Sequence, residues 1–106
     1  MKDDTPIVRL FLTKMKPEFF ELSEKEKETF MAKDRANLDA LGMKAISMID
    51  CTGRDDKWDY IGVESWPSME AIRKREIFEN EVLEISKYVE YEIHLGVAQS
   101  FENYGK

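Results

Sequence analysis

The chain has 106 residues, of which 42% are hydrophobic and 36% charged, a balance typical of a single folded domain spanning residues 1–106. Its 22 Asp and Glu outnumber its 16 Lys and Arg, giving a net charge of -6, so the long-range field repels nucleic-acid phosphates and anionic lipids. No apolar stretch approaches the roughly 20 residues of a membrane span, and the single cysteine, Cys51, has no partner for an internal disulfide. These properties predict a cytoplasmic protein that binds neither nucleic acid nor membranes.

The first half of the chain predicts a strand, a loop and a helix. Pro6 to Met15 is rich in β-branched and aromatic residues and is followed by a loop around Pro17. Ser23 stands three residues before Glu26, the spacing of a helix capping box. Good helix formers then continue over residues 24–41 until glycine 42, a typical stop signal.

The second half predicts a hairpin, a helix and a last strand. The segment from Met43 to Cys51 is short and bounded by glycines, and a polar turn joins it to a second strand from Trp58 to Trp66. Helical spacing of apolar residues follows from Met69 to Tyr88, with a break near Asn80. From Val89 to Leu95, apolar and polar side chains alternate strictly, as in a strand with one buried face.

The resulting order is strand, helix, strand, strand, helix, strand. With right-handed crossovers, this order predicts a ferredoxin-like α+β fold, in which a four-stranded antiparallel sheet carries both helices on one face. The other face of the sheet then lacks a cover within the same chain.

Alternation also predicts which strand residues point towards the helices. We expect the helices to contact the more aliphatic set. This set is Val8, Leu10, Leu12, Ile61, Val63, Tyr91, Ile93 and Leu95.

The remaining strand residues are expected on the uncovered face. This second set is Arg9, Phe11, Thr13, Trp58, Tyr60, Glu64, Trp66, Glu90, Glu92 and His94. It contains four aromatic side chains, each with about 150–250 Å² of surface. Leaving this surface exposed to water would forgo several kcal/mol of hydrophobic stabilisation, at about 25 cal/mol per Å². A second copy of the chain is the simplest cover, which predicts a homodimer with two sheets packed face to face as a dimeric α/β barrel.

Polar residues of this second set are candidates for chemistry in a pocket for a small-molecule ligand. We expect catalytic roles for His94, Glu64 and Arg9, with His94 as a general base. The alternatives for His94 are that it is solvated or a hydrogen-bond partner. Glu64 could form an acid/base pair with Glu92, and the alternatives are a salt bridge with Arg9 or a position at the rim. The candidate ligand-binding residues are Phe11, Trp58, Tyr60, Trp66 and Glu92.

No cofactor and no metal site is predicted. The chain lacks a glycine-rich phosphate loop, and one histidine cannot build a multi-histidine metal centre. The charged helix residues, including those at positions 73–76, are expected on solvated faces.

The predicted arrangement resembles the dimeric α/β-barrel superfamily over almost the whole chain. Within it, Lys16 to Ser23, followed by Glu26 and Phe30, is similar to the segment after the first strand of darcynin-like proteins, with a weaker similarity at Phe101 to Tyr104. The superfamily includes cofactor-independent monooxygenases, muconolactone-type isomerases, haem-binding enzymes and stress-response proteins. Its haem-degrading branch usually presents a histidine from the second-helix region, and Met69 to Tyr88 contains none.

The resemblance leaves three functions open. The first is an enzyme, a cofactor-independent monooxygenase or isomerase, that acts on a small hydrophobic or aromatic molecule in a pocket on the open sheet face. The second is a non-catalytic ligand-binding or stress-response dimer. The third is a barrel filled by side chains, without a cavity.

Overall fold

The computed structural model describes residues 5–105 and confirms the predicted order of strands and long helices. A short helix, α1, replaces the predicted loop around Pro17, and the predicted helix over residues 69–88 is divided into two. The break follows the buried residue Leu83, where Glu84 adopts a left-handed backbone with φ of 49°. The elements are β1 (Ile7–Met15), α1 (Pro17–Phe20), α2 (Glu24–Ala40), β2 (Lys44–Asp50), β3 (Tyr60–Trp66), α3 (Met69–Glu81), α4 (Ile85–Tyr88) and β4 (Val89–Gly96).

The four strands form one antiparallel sheet in the order β2-β3-β1-β4, which is the predicted ferredoxin-like arrangement. The helices cover one face, because Trp66 of β3 packs with Ala71 and Ile72 of α3 and with Leu38 of α2. We call this side of the sheet the covered face and the other side the open face. Within residues 5–105, no helix is both long and apolar enough to cross a membrane.

Both predicted end signals of α2 are confirmed. Ser23 Oγ accepts a hydrogen bond from the Glu26 backbone at 3.1 Å, and the Glu26 carboxylate accepts one from the Ser23 backbone at 2.9 Å, so the capping box is complete. After the helix, Gly42 has a φ of 81°, and the Met43 backbone N–H donates to the Leu38 carbonyl at 3.1 Å. This Schellman-type turn fixes where the chain enters β2.

The strand register determines which side chains share a face, because residues directly opposite one another in an antiparallel pair project to the same side. Arg9 lies opposite Glu64 and contacts Glu79 of α3, so Arg9 and Glu64 lie on the covered face. Leu10 lies opposite Val63 on one side and His94 on the other. Leu10, Val63 and His94 therefore lie on the open face.

The prediction of which side chains point towards the helices is therefore right for β4 and wrong for β1 and β3. Within each strand, the side chains alternate between the two faces as expected, and Arg9 and Glu64 share a face as predicted. In both β1 and β3, however, the side chains predicted to contact the helices lie on the open face, and those predicted for the open face lie on the covered face. The prediction failed because it gave the helices the more aliphatic side, whereas α3 offers charged partners to Arg9. The covered face carries Arg9, Phe11, Thr13, Gly62, Glu64 and Trp66, and the open face carries Val8, Leu10, Leu12, Ile61 and Val63.

Candidate functional site

A cavity of about 350 Å³ lies between the covered face and the helices. This position corrects the expectation of a pocket on the open face. Its volume falls within the usual range for small-molecule sites, and its walls combine apolar surface with a few polar groups. The lining includes Arg9, Phe11, Thr13, Met15, Phe30, Asp34, Leu38, Met43, Ala45, Met48, Glu64, Arg75, Glu79, Ile85, Tyr91 and Ile93.

Gly62 lets an aromatic ring lie flat across the floor of the cavity. Phe11 lies opposite Gly62 in the register, and a Cβ atom at position 62 would overlap the Phe11 ring well inside van der Waals contact. Because the missing side chain leaves this space to Phe11, the glycine shapes the apolar wall.

The polar side of the cavity is a buried ion-pair cluster between the sheet and α3. Arg9 Nη2 donates to both carboxylate oxygens of Glu79, at 3.0 and 2.9 Å. Arg75 Nε donates to Glu79 Oε2 at 3.2 Å. All three residues are buried, so Glu79 is the acceptor that joins two guanidinium groups away from water.

The same cluster extends to α2. Arg75 Nη1 donates to Asn37 Oδ1 at 3.0 Å, and Arg75 Nη2 donates to the carboxylate of Asp34. These contacts join α3 to α2 above the cavity. This polar link adds to the apolar contact that Leu38 of α2 makes with the core.

Glu64 has a carboxyl whose pKa is altered by its place in the cavity. The residue is only 7% exposed, and burial raises the pKa of its carboxyl from the ordinary value of 4.5, against the hydrogen bond from Trp66 and the charge of Arg9. Trp66 Nε1 donates to Glu64 Oε1 at 3.1 Å, and Arg9 Nη1 lies 3.8 Å from the same oxygen. Glu64 is thus held in place and is able to exchange a proton nearer neutrality than an exposed glutamate.

Arg9 retains one unused donor. Its residue is 3% exposed, yet among residues 5–105 no protein atom accepts a hydrogen bond from its Nε. A buried donor without an acceptor costs about 1–3 kcal/mol. Arg9 lines the cavity, but its Nε has almost no accessible surface, so other atoms of the guanidinium face the cavity space.

Three of the predicted site residues meet at the cavity. Arg9, Glu64 and Phe11 all line it. Trp66 is fully buried in the core beside it and reaches Glu64 through its indole N–H. The predicted salt bridge between Arg9 and Glu64 is present only as a longer contact of 3.8 Å, because Glu79 takes the main hydrogen bonds of Arg9.

The other four predicted site residues do not line the cavity. His94 and Glu92 lie on the open face, where His94 Nε2 is 2.8 Å from Glu92 Oε2 and the histidine side chain is 63% exposed. Trp58 lies before β3, with the Lys57 ammonium 4.7 Å from its ring centroid. Tyr60 begins β3 and lies opposite Thr13. The structure therefore separates His94 from Arg9 and Glu64 by the thickness of the sheet.

Sequence reasoning missed the helix residues of the cluster. Arg75 and Glu79 were expected on a solvated face, but both are buried. They stand three and seven positions after Ile72, which is fully buried, so helical periodicity places all three on one face. That spacing was the signal that could have identified them.

Comparisons with known proteins identify a fold and no family. No family model and no curated protein sequence matches the chain. Solved structures do match. A protein of unknown function from Rhodopseudomonas palustris has 17% sequence identity and a TM-score of 0.61, over 92% of this chain and 85% of that one. A haem-binding protein from Thermus thermophilus has 15% identity and a TM-score of 0.69, over 95% of this chain and 43% of that one.

A third structure is SnoaB, a cofactor-independent oxygenase from Streptomyces nogalater, with 17% identity and a TM-score of 0.50 over 93% of this chain and 96% of that one. At these identities the likeness shows the fold alone, which is the predicted ferredoxin-like α+β arrangement, and the dimer stays a prediction. The narrower resemblance to darcynin-like proteins stays a prediction.

The single histidine lies on the open face, so the cavity offers no imidazole to ligate a haem iron.

Proposed function

We propose that each protomer binds a small hydrophobic or aromatic molecule in the covered-face cavity and transfers a proton to or from it through Glu64. The observation that carries this proposal is a cavity that combines apolar walls with the Arg9 guanidinium and the buried Glu64 carboxyl, whose pKa is raised. These are the elements of general acid–base catalysis.

The proposed chemistry is proton abstraction next to an oxygen function of the substrate. In the ionised form, Glu64 accepts a proton from carbon while the Arg9 guanidinium stabilises the negative charge that develops on the substrate oxygen. Return of the proton to another carbon gives an isomerase. Addition of the carbanion to O₂ and return of the proton from Glu64 instead gives a hydroperoxide, which loses water to leave a carbonyl group, so that one oxygen atom enters the product and the other leaves as water, as in a monooxygenase. SnoaB, a protein of similar fold, is a cofactor-independent oxygenase.

The open face supports the homodimer as part of this proposal. Val8, Leu10, Leu12, Ile61 and Val63 form an aliphatic patch there, and fully burying a side chain of this kind contributes about 1.5–3 kcal/mol. A second copy packed face to face would cover this patch, with a twofold axis matching it to itself. The aliphatic patch thus takes the place of the aromatic surface that sequence alone predicted.

We also infer a reducing, cytoplasmic location. Cys51 is the only cysteine in the chain, and it is free and buried at the end of β2. A buried, unpaired thiol suits a compartment in which disulfides do not form.

The alternative is a non-catalytic ligand-binding dimer. The observation that favours it is that Glu79, Asp34 and both arginines are bound to one another, which leaves Glu64 as the single cavity carboxyl outside the tight ion pairs. In that case the cavity would retain a molecule without converting it.

Native mass spectrometry of the purified protein tests the proposal. We expect a dimer, and extra mass on it would identify a retained molecule that is then tested for conversion by the wild type and Glu64→Gln. The enzyme is supported if the wild type converts the molecule and Glu64→Gln does not, with Glu76→Gln on the solvent side of α3 as the matched control. Retention without conversion favours the binding protein, and a monomer would contradict the assigned role of the open face.

A further inference from the structure

We infer that small molecules enter the covered-face cavity across the β2 edge of the sheet, and that Ile46 sets the size of molecule that is admitted. The inference rests on the proposed function, because it concerns the route into the same cavity and the selection of its ligand. The position of the entrance decides which molecules can meet Glu64.

The β2 strand is the exposed side of the cavity. It forms one edge of the sheet, and all seven of its residues are exposed. Four consecutive β2 residues, at positions 45–48, line the cavity. A residue that lines a cavity and is also open to solvent marks its mouth. Among the other lining residues that the structure describes, only Tyr91 is exposed, at 37%, so the mouth lies at β2.

A bulge in β2 places Ile46 at this mouth. Ala45 lies opposite Glu64 and Ser47 lies opposite Val63, so Ile46 has no partner in the register. Bulges re-aim side chains and are common beside functional sites. Ile46 lines the cavity although it is 57% exposed, and it therefore belongs both to the cavity wall and to the outer surface.

The bulge also stands next to the proposed reactive group. Ala45 directly precedes Ile46 and lies opposite Glu64, and neighbouring strands are about 4.8 Å apart. A molecule that passes Ile46 therefore comes first to the strand that carries Glu64. Farther along β2, Met48 lies opposite Gly62 and is 62% exposed, which gives the mouth a second apolar side chain.

The two apolar side chains at the mouth differ in stiffness. Ile46 is branched at Cβ and has few rotamers, whereas Met48 is unbranched and adapts its shape. Ile46 is thus the fixed side of the mouth and limits the width of an entering molecule. The cavity volume of about 350 Å³ lies at the lower end of the range for small-molecule sites, so we expect two fused rings to be admitted and three to be disfavoured.

Two ketones of graded size test this inference: 2-acetylnaphthalene, with two fused rings, and 2-acetylanthracene, with three. They are titrated into the full chain carrying ¹³C-methyl methionine, and line-shape analysis gives the association rate. Met15 and Met43 line the cavity, whereas the exposed Met31 and Met69 serve as internal controls. We expect 2-acetylnaphthalene to shift the Met15 and Met43 signals. We expect 2-acetylanthracene to bind at least about tenfold more weakly, a discrimination that apolar pockets commonly achieve.

Substitutions of Ile46 in opposite directions locate the effect. Ile46→Ala widens the mouth, so the affinity for 2-acetylanthracene should rise by about tenfold relative to that for 2-acetylnaphthalene. Ile46→Trp narrows it, so 2-acetylnaphthalene should associate about tenfold more slowly, because the indole must move before the molecule enters. Ile77→Ala and Ile77→Trp are the matched controls, since Ile77 of α3 is as exposed as Ile46 and does not line the cavity. If Ile46→Trp does not fold, Ile46→Ala decides.

The outcomes separate this inference from the proposed function. If 2-acetylnaphthalene shifts the Met15 and Met43 signals but the Ile46 variants behave like the Ile77 variants, the inference is overturned and the cavity stands as the binding site. Equal affinity of the wild type for the two ketones would likewise overturn the size limit. If neither ketone shifts Met15 or Met43, in the wild type or in Ile46→Ala, the cavity does not accept molecules of this kind, and the proposed function fails with the inference.

Discussion

The two faces of the sheet differ in how their side chains are satisfied. On the covered face, Arg9 and Glu64 meet side chains of α3 and line a cavity. On the open face, aliphatic side chains of β1 and β3 lie beside the acidic residues and the histidine of β4. The covered face thus has its polar partners within the chain, whereas no helix among residues 5–105 covers the apolar surface of the open face.

This difference teaches that a buried face need not be the more apolar one. Burying charged groups is tolerated only where opposite charges and hydrogen bonds compensate them, and α3 supplies that compensation through Glu79 and Arg75. The aliphatic side is then the surface that the proposed second copy would cover. On this view, the covered face carries the chemistry and the open face carries the assembly.

The largest effect is expected from a charge placed in the open face. Leu12 lies opposite Ile61 and Glu92, so Leu12→Asp would bury a carboxylate beside another one in each copy of the dimer. Because an uncompensated buried charge costs several kcal/mol, dimerisation should weaken by about a thousandfold or more. Analytical ultracentrifugation measures this, and Ala36→Asp at an exposed position of α2 should leave the dimer unchanged. A Leu12→Asp dimer of wild-type affinity would contradict the role of the open face.

The next effect is expected in the ion-pair cluster of the covered face. Glu79→Ala removes the acceptor shared by Arg9 and Arg75, which leaves two buried guanidinium groups poorly compensated. The free energy of unfolding should fall by about 3–5 kcal/mol, as measured by urea denaturation. Glu76→Ala, at an exposed position of the same helix, should change it by less than about 0.5 kcal/mol. Equal effects of the two variants would mean that the cluster does not stabilise the fold.

A smaller effect is expected from the protonation of Glu64. Burial raises the pKa of this carboxyl above 4.5, so the folded state holds the proton more tightly than the unfolded state. The contribution of Glu64 to stability is therefore full below pH 4.5 and is lost as the pH rises through the folded-state pKa. The side chain of Glu64→Gln stays neutral at every pH. Relative to this variant, the free energy of unfolding of the wild type should fall as the pH rises from 4.5 through the folded-state pKa of Glu64. A constant difference between the two proteins from pH 4 to 8 would contradict the raised pKa.

The smallest effect is expected from His94→Ala on the open face. His94 and Glu92 form an exposed pair, and such pairs contribute about 0–1 kcal/mol. The free energy of unfolding should change by no more than this, and the affinity of the cavity for 2-acetylnaphthalene, measured by methionine-methyl NMR, should stay the same. A loss of ligand affinity would instead connect His94 to the cavity across the sheet.

The sequence predicts the fold well because its signals are local. The capping box at Ser23, the stop at Gly42 and the strict alternation after Val89 each depend on a few neighbouring residues. Their order then restricts the topology to few choices. The short helix at Pro17–Phe20 was missed because four residues give too little periodicity to detect.

The position of the site is harder to predict, because it depends on contacts distant in sequence. Arg9 meets Glu79 across 70 positions, and no pattern within β1 indicates which of its sides faces the helices. In β2, the register shifts between Ala45 and Ser47, and a bulge of this kind interrupts the alternation on which such assignments depend. Arg9, Glu64 and Phe11 were nevertheless expected together on one face, and they do line one cavity, because their relative phase is preserved between the paired strands; their roles as site residues stay predictions.

An isotope-filtered NOE experiment tests the division between the two faces most directly. Methyl-labelled and unlabelled protein are mixed in the presence of 2-acetylnaphthalene. We predict contacts from the probe to Met43, Met48 and Ile93, and contacts between protomers at Leu10, Leu12 and Ile61. Contacts from the probe to Leu10 and Leu12, with none to the cavity methyls, would contradict the account by placing the ligand on the open face.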